Sequence, residues 1–193
     1  PLGACSLAMF FLIFYSWKET GRGKFFTSAQ VDAASRAIAA RDFIQGQTAI
    51  NETNTLLGRA LAPALAKLSV SHEKAENLFI ENLEAEENSV SQWVTYLNVV
   101  ASVAPMIGLL GTVSGMISAF QTIGRGGMGR PELLAGDIGE ALITTATGLV
   151  IGIPAMIAYF VLKNRLNTAM IATAQAGSEV LDAKEAKAYT SSS

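Results

Sequence analysis

The 193-residue chain is 50% hydrophobic and only 16% charged, against about 25% charged residues in an average soluble domain. Its net charge of −2 excludes the basic footprint of a nucleic-acid-binding protein. A single cysteine, Cys5, excludes an internal disulfide, and with one histidine, His72, no metal site can be assembled from the pair. No catalytic or metal-ligating residue is assigned, and no cofactor is expected. The charges crowd between Glu73 and Glu87 and leave long stretches bare. That distribution predicts membrane segments alternating with a water-exposed part, in an all-α protein.

The first apolar run, Leu2 to Trp17, ends in Tyr15, Trp17 and Lys18, aromatics followed by a cation as at a membrane interface. Because Pro1 opens the chain, the run is read as the remainder of a longer span; a signal peptide is the alternative. Residues 18–98 read as a cytoplasmic helical region. Ser28 can cap an Ala-rich helix through Ala40, and Thr53 to Leu68 is expected to break at Pro63. From Ser71 to Phe120 one long helix is expected, with Phe79, Leu83, Val90, Val94 and Leu97 on a single apolar stripe. Two helices hinged at Asn88 or Ser91 are the alternative. The Glu81 to Glu87 run reads as a solvated face.

Residues 99–120 form the second uncharged span, and 138–162 the third, charged only at Glu140. Lys18, Arg22 and Lys24 follow the first span, as Lys163 and Arg165 follow the third. Three spans put both ends on the same, cytoplasmic side. The loop 121–137, with Arg125 and Arg130, falls on the periplasmic side, and 163–193 is a cytoplasmic tail that starts helical and frays at Ser191 to Ser193. The membrane would be the bacterial inner membrane.

Small and polar residues in the spans carry the remaining information. Ala101, Pro105, Gly108, Thr112, Gly115 and Ala119 recur at helical spacing, as do Ala141, Thr145, Gly148, Gly152 and Ala155. Gly111 with Gly115, and Gly148 with Gly152, match the small-xxx-small pattern of close helix approach. These stripes either pack within one subunit or join subunits of an oligomer. Glu140 is the sharpest residue, because a carboxylate in hydrocarbon is costly and marks an ion or proton path. Glu140, Thr144, Thr147 and Ile151 share one helix face, on which a carboxyl and two hydroxyls could hold a file of water. Asp137 and Glu140 could instead be a capping pair at a helix start. A helix that starts at Pro131, a favoured first position, would place Glu140 more than two turns inside.

APMIGLLGTVSGMISAF (Ala104 to Phe120) followed by GDIGEALITTATGLVIGIPAMIAY (Gly136 to Tyr159) resembles the ExbB/TolQ/MotA proton-channel family, nearest to its ExbB and TolQ branches. The resemblance implies a ring of this subunit, five copies, whose second and third spans enclose the membrane helices of a smaller ExbD- or TolR-like partner. That partner carries the essential carboxylate, and inward proton flow drives work on an envelope protein such as TonB or TolA. Thr112, Glu140 and Thr145 match the family's pore-facing polar positions, with Thr144 and Thr147 as lesser candidates. On a helical wheel Thr145 falls on the small-residue stripe, away from Glu140. Membrane lipid is the other expected partner, and nucleic acid is not. The rival readings are a flagellar or gliding stator and, from another class, a structural scaffold in which Glu140 only caps a helix.

Overall fold

The computed structural model of the chain describes residues 2–124 and 131–190. Arg125, Arg130 and the Ser191 to Ser193 tail, used above to orient and end the chain, lie outside them. Within the described residues the protein is helical: α1 (Leu2–Glu19), a 3-10 turn at Arg22–Lys24, α2 (Ser28–Ala39), α3 (Phe43–Asn51), α4 (Leu56–Leu68), α5 (His72–Gly124) and α6 (Pro131–Thr190). Two of these, α5 and α6, are long and apolar enough to cross a membrane. The first apolar run folds as α1, whose 18 residues include Lys18 and Glu19; it is not one of the two.

Residues 72 to 124 form a single helix without a hinge. Its stripe of Phe79, Leu83, Val90, Val94 and Leu97 is buried throughout, as 3.6-residue periodicity requires of a helix with one packed face. Elsewhere local expectations shift. The residue capping α2 is Thr27, in extended backbone and without a side-chain capping bond, so Ser28 is already helical. Pro63 does not break its helix, because α4 runs through it. A proline in a helix interior costs about 3 kcal/mol, but Leu57, Ala60, Leu61, Ala64, Leu65 and Leu68 of the same helix are buried. Burial of that many apolar groups outweighs one missing hydrogen bond.

Two compact units divide the chain, one of residues 17–92 with 163–193, the other of 1–16 with 93–162. In the first, Gln30 Nε2 donates to the Ile50 carbonyl at 2.6 Å and Thr55 Oγ1 donates to Gln30 Oε1 at 3.0 Å. Thr55 Oγ1 also caps α4 by accepting from the Gly58 amide at 3.1 Å. These bonds satisfy buried polar atoms that would otherwise cost their full desolvation. Arg59 grips Glu86 with two nitrogens, at 3.0 and 2.7 Å, tying α4 to α5. Glu86 is therefore half-buried and paired, unlike the exposed Glu81 and Glu84 of the same run. The hydrogen bond from Arg59 to Glu86 raises the guanidinium pKa against the opposing pull of burial. Gly177 of α6 lies under the ring of Phe79, leaving no room for a Cβ.

Between α2 and α3 the chain turns at Arg41, whose φ of 62° is left-handed. The Asp42 amide reaches back to the Ala37 carbonyl and the Arg41 amide to that of Ile38, the paired bonds of a Schellman ending. Glycine is the usual residue there, since a Cβ in left-handed backbone costs roughly 1–2 kcal/mol. Arg41→Gly is expected to stabilise the protein by up to about 1 kcal/mol, once the entropy of an added glycine is subtracted. Thermal unfolding in detergent, followed by circular dichroism, checks this through an upward shift in midpoint.

In the other unit α5 and α6 run antiparallel and meet backbone to backbone. A Cβ on Gly108 would lie 3.1 Å from the Thr145 Cα, on Gly115 2.5 Å from the Ala141 Cβ, on Gly148 2.7 Å from the Ala104 carbonyl, and on Gly152 2.6 Å from the Pro105 ring. Gly111 faces the Thr144 side chain directly. The two small-residue stripes thus face each other inside one chain. The other faces of the two helices are broad and apolar: Leu109, Leu110, Val113 and Ile117 on α5, and Leu142, Val150, Ile153 and Ile157 on α6, are exposed.

The obstacles at these glycines differ in kind, and their order is testable. At Gly148 the obstacle is backbone, so Gly148→Ala should destabilise by about 1–3 kcal/mol. At Gly111 it is a threonine side chain that can turn, so Gly111→Ala should cost less. Gly139 has nothing within 4 Å, and Gly139→Ala should be neutral or stabilising by up to ~1 kcal/mol. Unfolding midpoints of the three variants in one detergent should fall in that order.

Candidate functional site

Helix α6 begins at Pro131, where the fixed φ of proline suits the first helical position. Glu140 therefore sits well inside the helix, and so does Asp137. That removes the capping pair, since a capping box needs its first member just outside the helix. In the single chain Glu140 is exposed and Asp137 half-buried.

The threonines divide by where their hydroxyls go. Thr112 Oγ1 donates to the Leu109 carbonyl at 2.6 Å, Thr144 Oγ1 to that of Glu140 at 2.8 Å, and Thr147 Oγ1 to that of Ile143 at 2.8 Å. Each bond stays within its own helix, the usual solution for a hydroxyl in apolar surroundings. Thr145 differs. Its Oγ1 donates across to the Gly108 carbonyl of α5 at 2.8 Å, so it joins the two helices and turns away from Glu140.

A groove of about 210 Å³ opens between α5 and α6, lined by Gly111, Ser114, Gly115 and Ser118 on one side and by Asp137, Glu140, Ala141 and Thr144 on the other. The structure thus brings Glu140 and Thr144 together, beside Gly111 and Gly115. Thr112, Thr145 and Thr147 do not line it, nor do Gly108, Gly148 and Gly152. Ile151, which shares a helical face with Glu140 in sequence, is buried, so the groove does not continue along that face.

The sequence offered Asp137 only as a possible cap, and Ser114 and Ser118 were not singled out. The signal was present: two serines four residues apart on one helix, and a carboxylate three residues before Glu140 on the other. Neighbours at those spacings share a face. Carboxyl and hydroxyl groups both accept protons and, when protonated, donate them, so this lining can pass protons. Among the described residues no group of three His, Cys, Asp or Glu converges as a metal site.

Comparison with known proteins agrees with the motifs. The family described as the MotA/TolQ/ExbB proton channel family matches residues 49–175. The biopolymer transport protein ExbB of Xanthomonas campestris pv. campestris (strain B100) is 41% identical over 87 residues, 45% of this chain and 34% of its own length. The Tol-Pal system protein TolQ of Haemophilus influenzae is 42% identical over 85 residues, 44% of this chain and 37% of its own. The biopolymer transport protein ExbB of Neisseria gonorrhoeae is 47% identical over 66 residues, 34% of this chain and 30% of its own. The chain thus matches about a third of the length of these relatives. With a family match over more than half of its residues, on two helices apolar enough to cross a membrane, the chain belongs to the MotA/TolQ/ExbB proton channel family.

Proposed function

We propose that the chain is a proton-channel subunit of an ExbB/TolQ-type transducer that couples proton motive force to work on the cell envelope. The observation that carries this reading is the polar groove holding Glu140, more than two turns into a helix that carries no other charge from Ala141 to Leu162. A carboxylate is kept in such a helix at a cost of several kcal/mol, which function must justify. The names of the relatives, a biopolymer transport protein and a Tol-Pal system protein, support work on the envelope.

The proposed topology has three spans in a bacterial inner membrane, with residues 18–98 and 163–193 in the cytoplasm and 121–137 in the periplasm. The division of the chain into two units at Ser16, Trp93 and Leu162 supports it. So does the exposed apolar face of α1, with Leu7, Phe10, Phe11 and Phe14. A ring of five copies would enclose the membrane helices of a small ExbD- or TolR-like subunit, which passes motion to a TonB- or TolA-like protein. In that ring Glu140, Thr112 and Thr145 serve the proton path, with Thr144 and Thr147 beside it. Thr145 would act through position, because its hydroxyl is committed to Gly108.

Two measurements test the reading. Native mass spectrometry in detergent should show one dominant oligomer, five copies, since contacts that close on themselves give cyclic symmetry; a clean monomer would overturn it. Proton flux into liposomes should require both the ring and a co-expressed single-span partner. Glu140→Gln keeps hydrogen bonding but cannot titrate, so its rings should assemble yet conduct no protons, while Glu140→Asp should retain part of the flux. Full flux in the Gln variant, at matched protein levels, would refute the role of Glu140. A scaffold would conduct in none of these conditions.

A further inference from the structure

The groove between α5 and α6 holds polar side chains that the proton path above leaves unused: Asp137, Ser114 and Ser118. Their order along the groove follows from the packing. Gly108 lies against Thr145, Gly111 against Thr144, and Gly115 against Ala141 and the Asp137 carbonyl. Extending this antiparallel register by one turn brings Ser118 to the level of Asp137 and leaves Ser114 nearer to Glu140. The groove therefore runs from Thr144, past Glu140 and Ser114, to Asp137 and Ser118. Its far end is the one nearer the C-terminus of α5 and the N-terminus of α6.

Four observations bear on this groove, in which Ser114, Ser118 and Glu140 are exposed and Asp137 is half-buried in the single chain. Residues beside the lining in sequence are apolar and exposed: Leu110, Val113 and Ile117 on α5, Ile138 and Leu142 on α6. Its carboxylates have no basic partner among the described residues. Moreover, α5 carries no ionisable side chain from Gly111 to Gly124, so the ionisable side chain that faces Asp137 within the groove is Glu140. The serines differ from nearby threonines as well. Thr112, Thr122, Thr144 and Thr147 all donate to carbonyls of their own helices, whereas among the described residues neither serine hydroxyl is so engaged. A carboxylate without a cation in apolar surroundings is stabilised by water or by a proton, and an uncommitted hydroxyl can both accept and donate one.

We propose that Asp137 is the outer proton acceptor of this groove. Its carboxylate takes a proton from the aqueous side that the N-terminal end of α6 faces in the proposed topology. Ser118 and Ser114, with water between them, hand a proton on to the Glu140 carboxylate one turn deeper. Asp137 is then a carboxylate again and Glu140 the acid, so charge and protons balance. This step rests on the proton-channel reading and adds to it the place where the proton enters.

The test uses rings reconstituted with their single-span partner, with flux measured against the pH of the outer side. Asp137→Asn should cut flux by on the order of 100-fold when the outer side is near neutral, as for loss of one proton-transfer group. Lowering the outer pH by about two units raises proton supply about 100-fold and should restore most of it, because Glu140 can then load directly. Asp137→Glu should behave as wild type, and Glu140→Gln should stay silent at both pH values. Ser114→Ala combined with Ser118→Ala leaves both carboxylates in place and should lose flux several-fold with the same acid recovery; it decides the matter should Asp137→Asn fail to assemble. Wild-type flux in Asp137→Asn or in the serine pair would overturn the relay. A loss that acid does not recover would do the same, since it marks a structural residue. No flux through wild-type rings would instead overturn the channel reading, and the relay with it.

Discussion

The approach of α5 to α6, backbone against backbone, is the constraint on which the membrane half of this protein depends. Lipid tails are as apolar as leucine, so two helices in a bilayer gain nothing by hiding apolar surface from each other. Dispersion and a few polar contacts must hold them, and both fall steeply with distance. Gly108, Gly111, Gly115, Gly148 and Gly152 remove the Cβ atoms that would keep the helices apart. Pro105 fits the same scheme. Lacking an N–H, it leaves the Ala101 carbonyl without its helical donor, and Gly152 lies against that carbonyl and against the proline ring. A kink-prone residue is thereby seated on the residue that leaves it most room.

Close packing has a second consequence. Helices this near leave a shallow groove along the flank of the contact, and only small side chains can line its floor. Gly111, Gly115 and Ala141 form that floor, while the polar groups stand at its sides. Thr145 belongs to the contact itself: its bond to the Gly108 carbonyl fixes how far the helices slide past each other. The glycine motifs that identify the family are therefore consumed within one chain. The surface that this contact leaves uncovered is the apolar remainder of α5, α6 and α1.

What the sequence disclosed depended on how local the determining physics is. The buried stripe from Phe79 to Leu97 was legible because periodicity reports a packed face directly. Pro63 was misread because its cost is local, whereas its compensation, the burial of Leu57, Leu61 and Leu65, is tertiary. Helix α3 escaped notice for a related reason. Gly46 lowers its helix propensity, yet the glycine is there so that the helix can approach Ile38, whose Cδ1 would lie 2.6 Å from a Cβ. At the site, Glu140 stood out as the one charge in an apolar span. Asp137 resembled a cap, and nothing marked Ser114 and Ser118, until the register of two helices set them along one groove. Sequence spacing orders residues on one helix, but it does not say which residues of another helix they meet.

Polar groups in this chain fall into two kinds, and the difference bears on function. Where they hold elements together, they answer one another: Gln30 bonds Thr55 and the Ile50 carbonyl, and Arg59 closes on both oxygens of Glu86. Those pairs are complete, and a complete pair gains nothing from a transient proton or a moving water. In the groove, Asp137 and Glu140 are acceptors with no protein cation to answer them among the described residues. Water or a proton can satisfy such groups. An energy-coupled channel needs sites that exchange their occupant, and the physical mark of such a site is polarity that the fold leaves open.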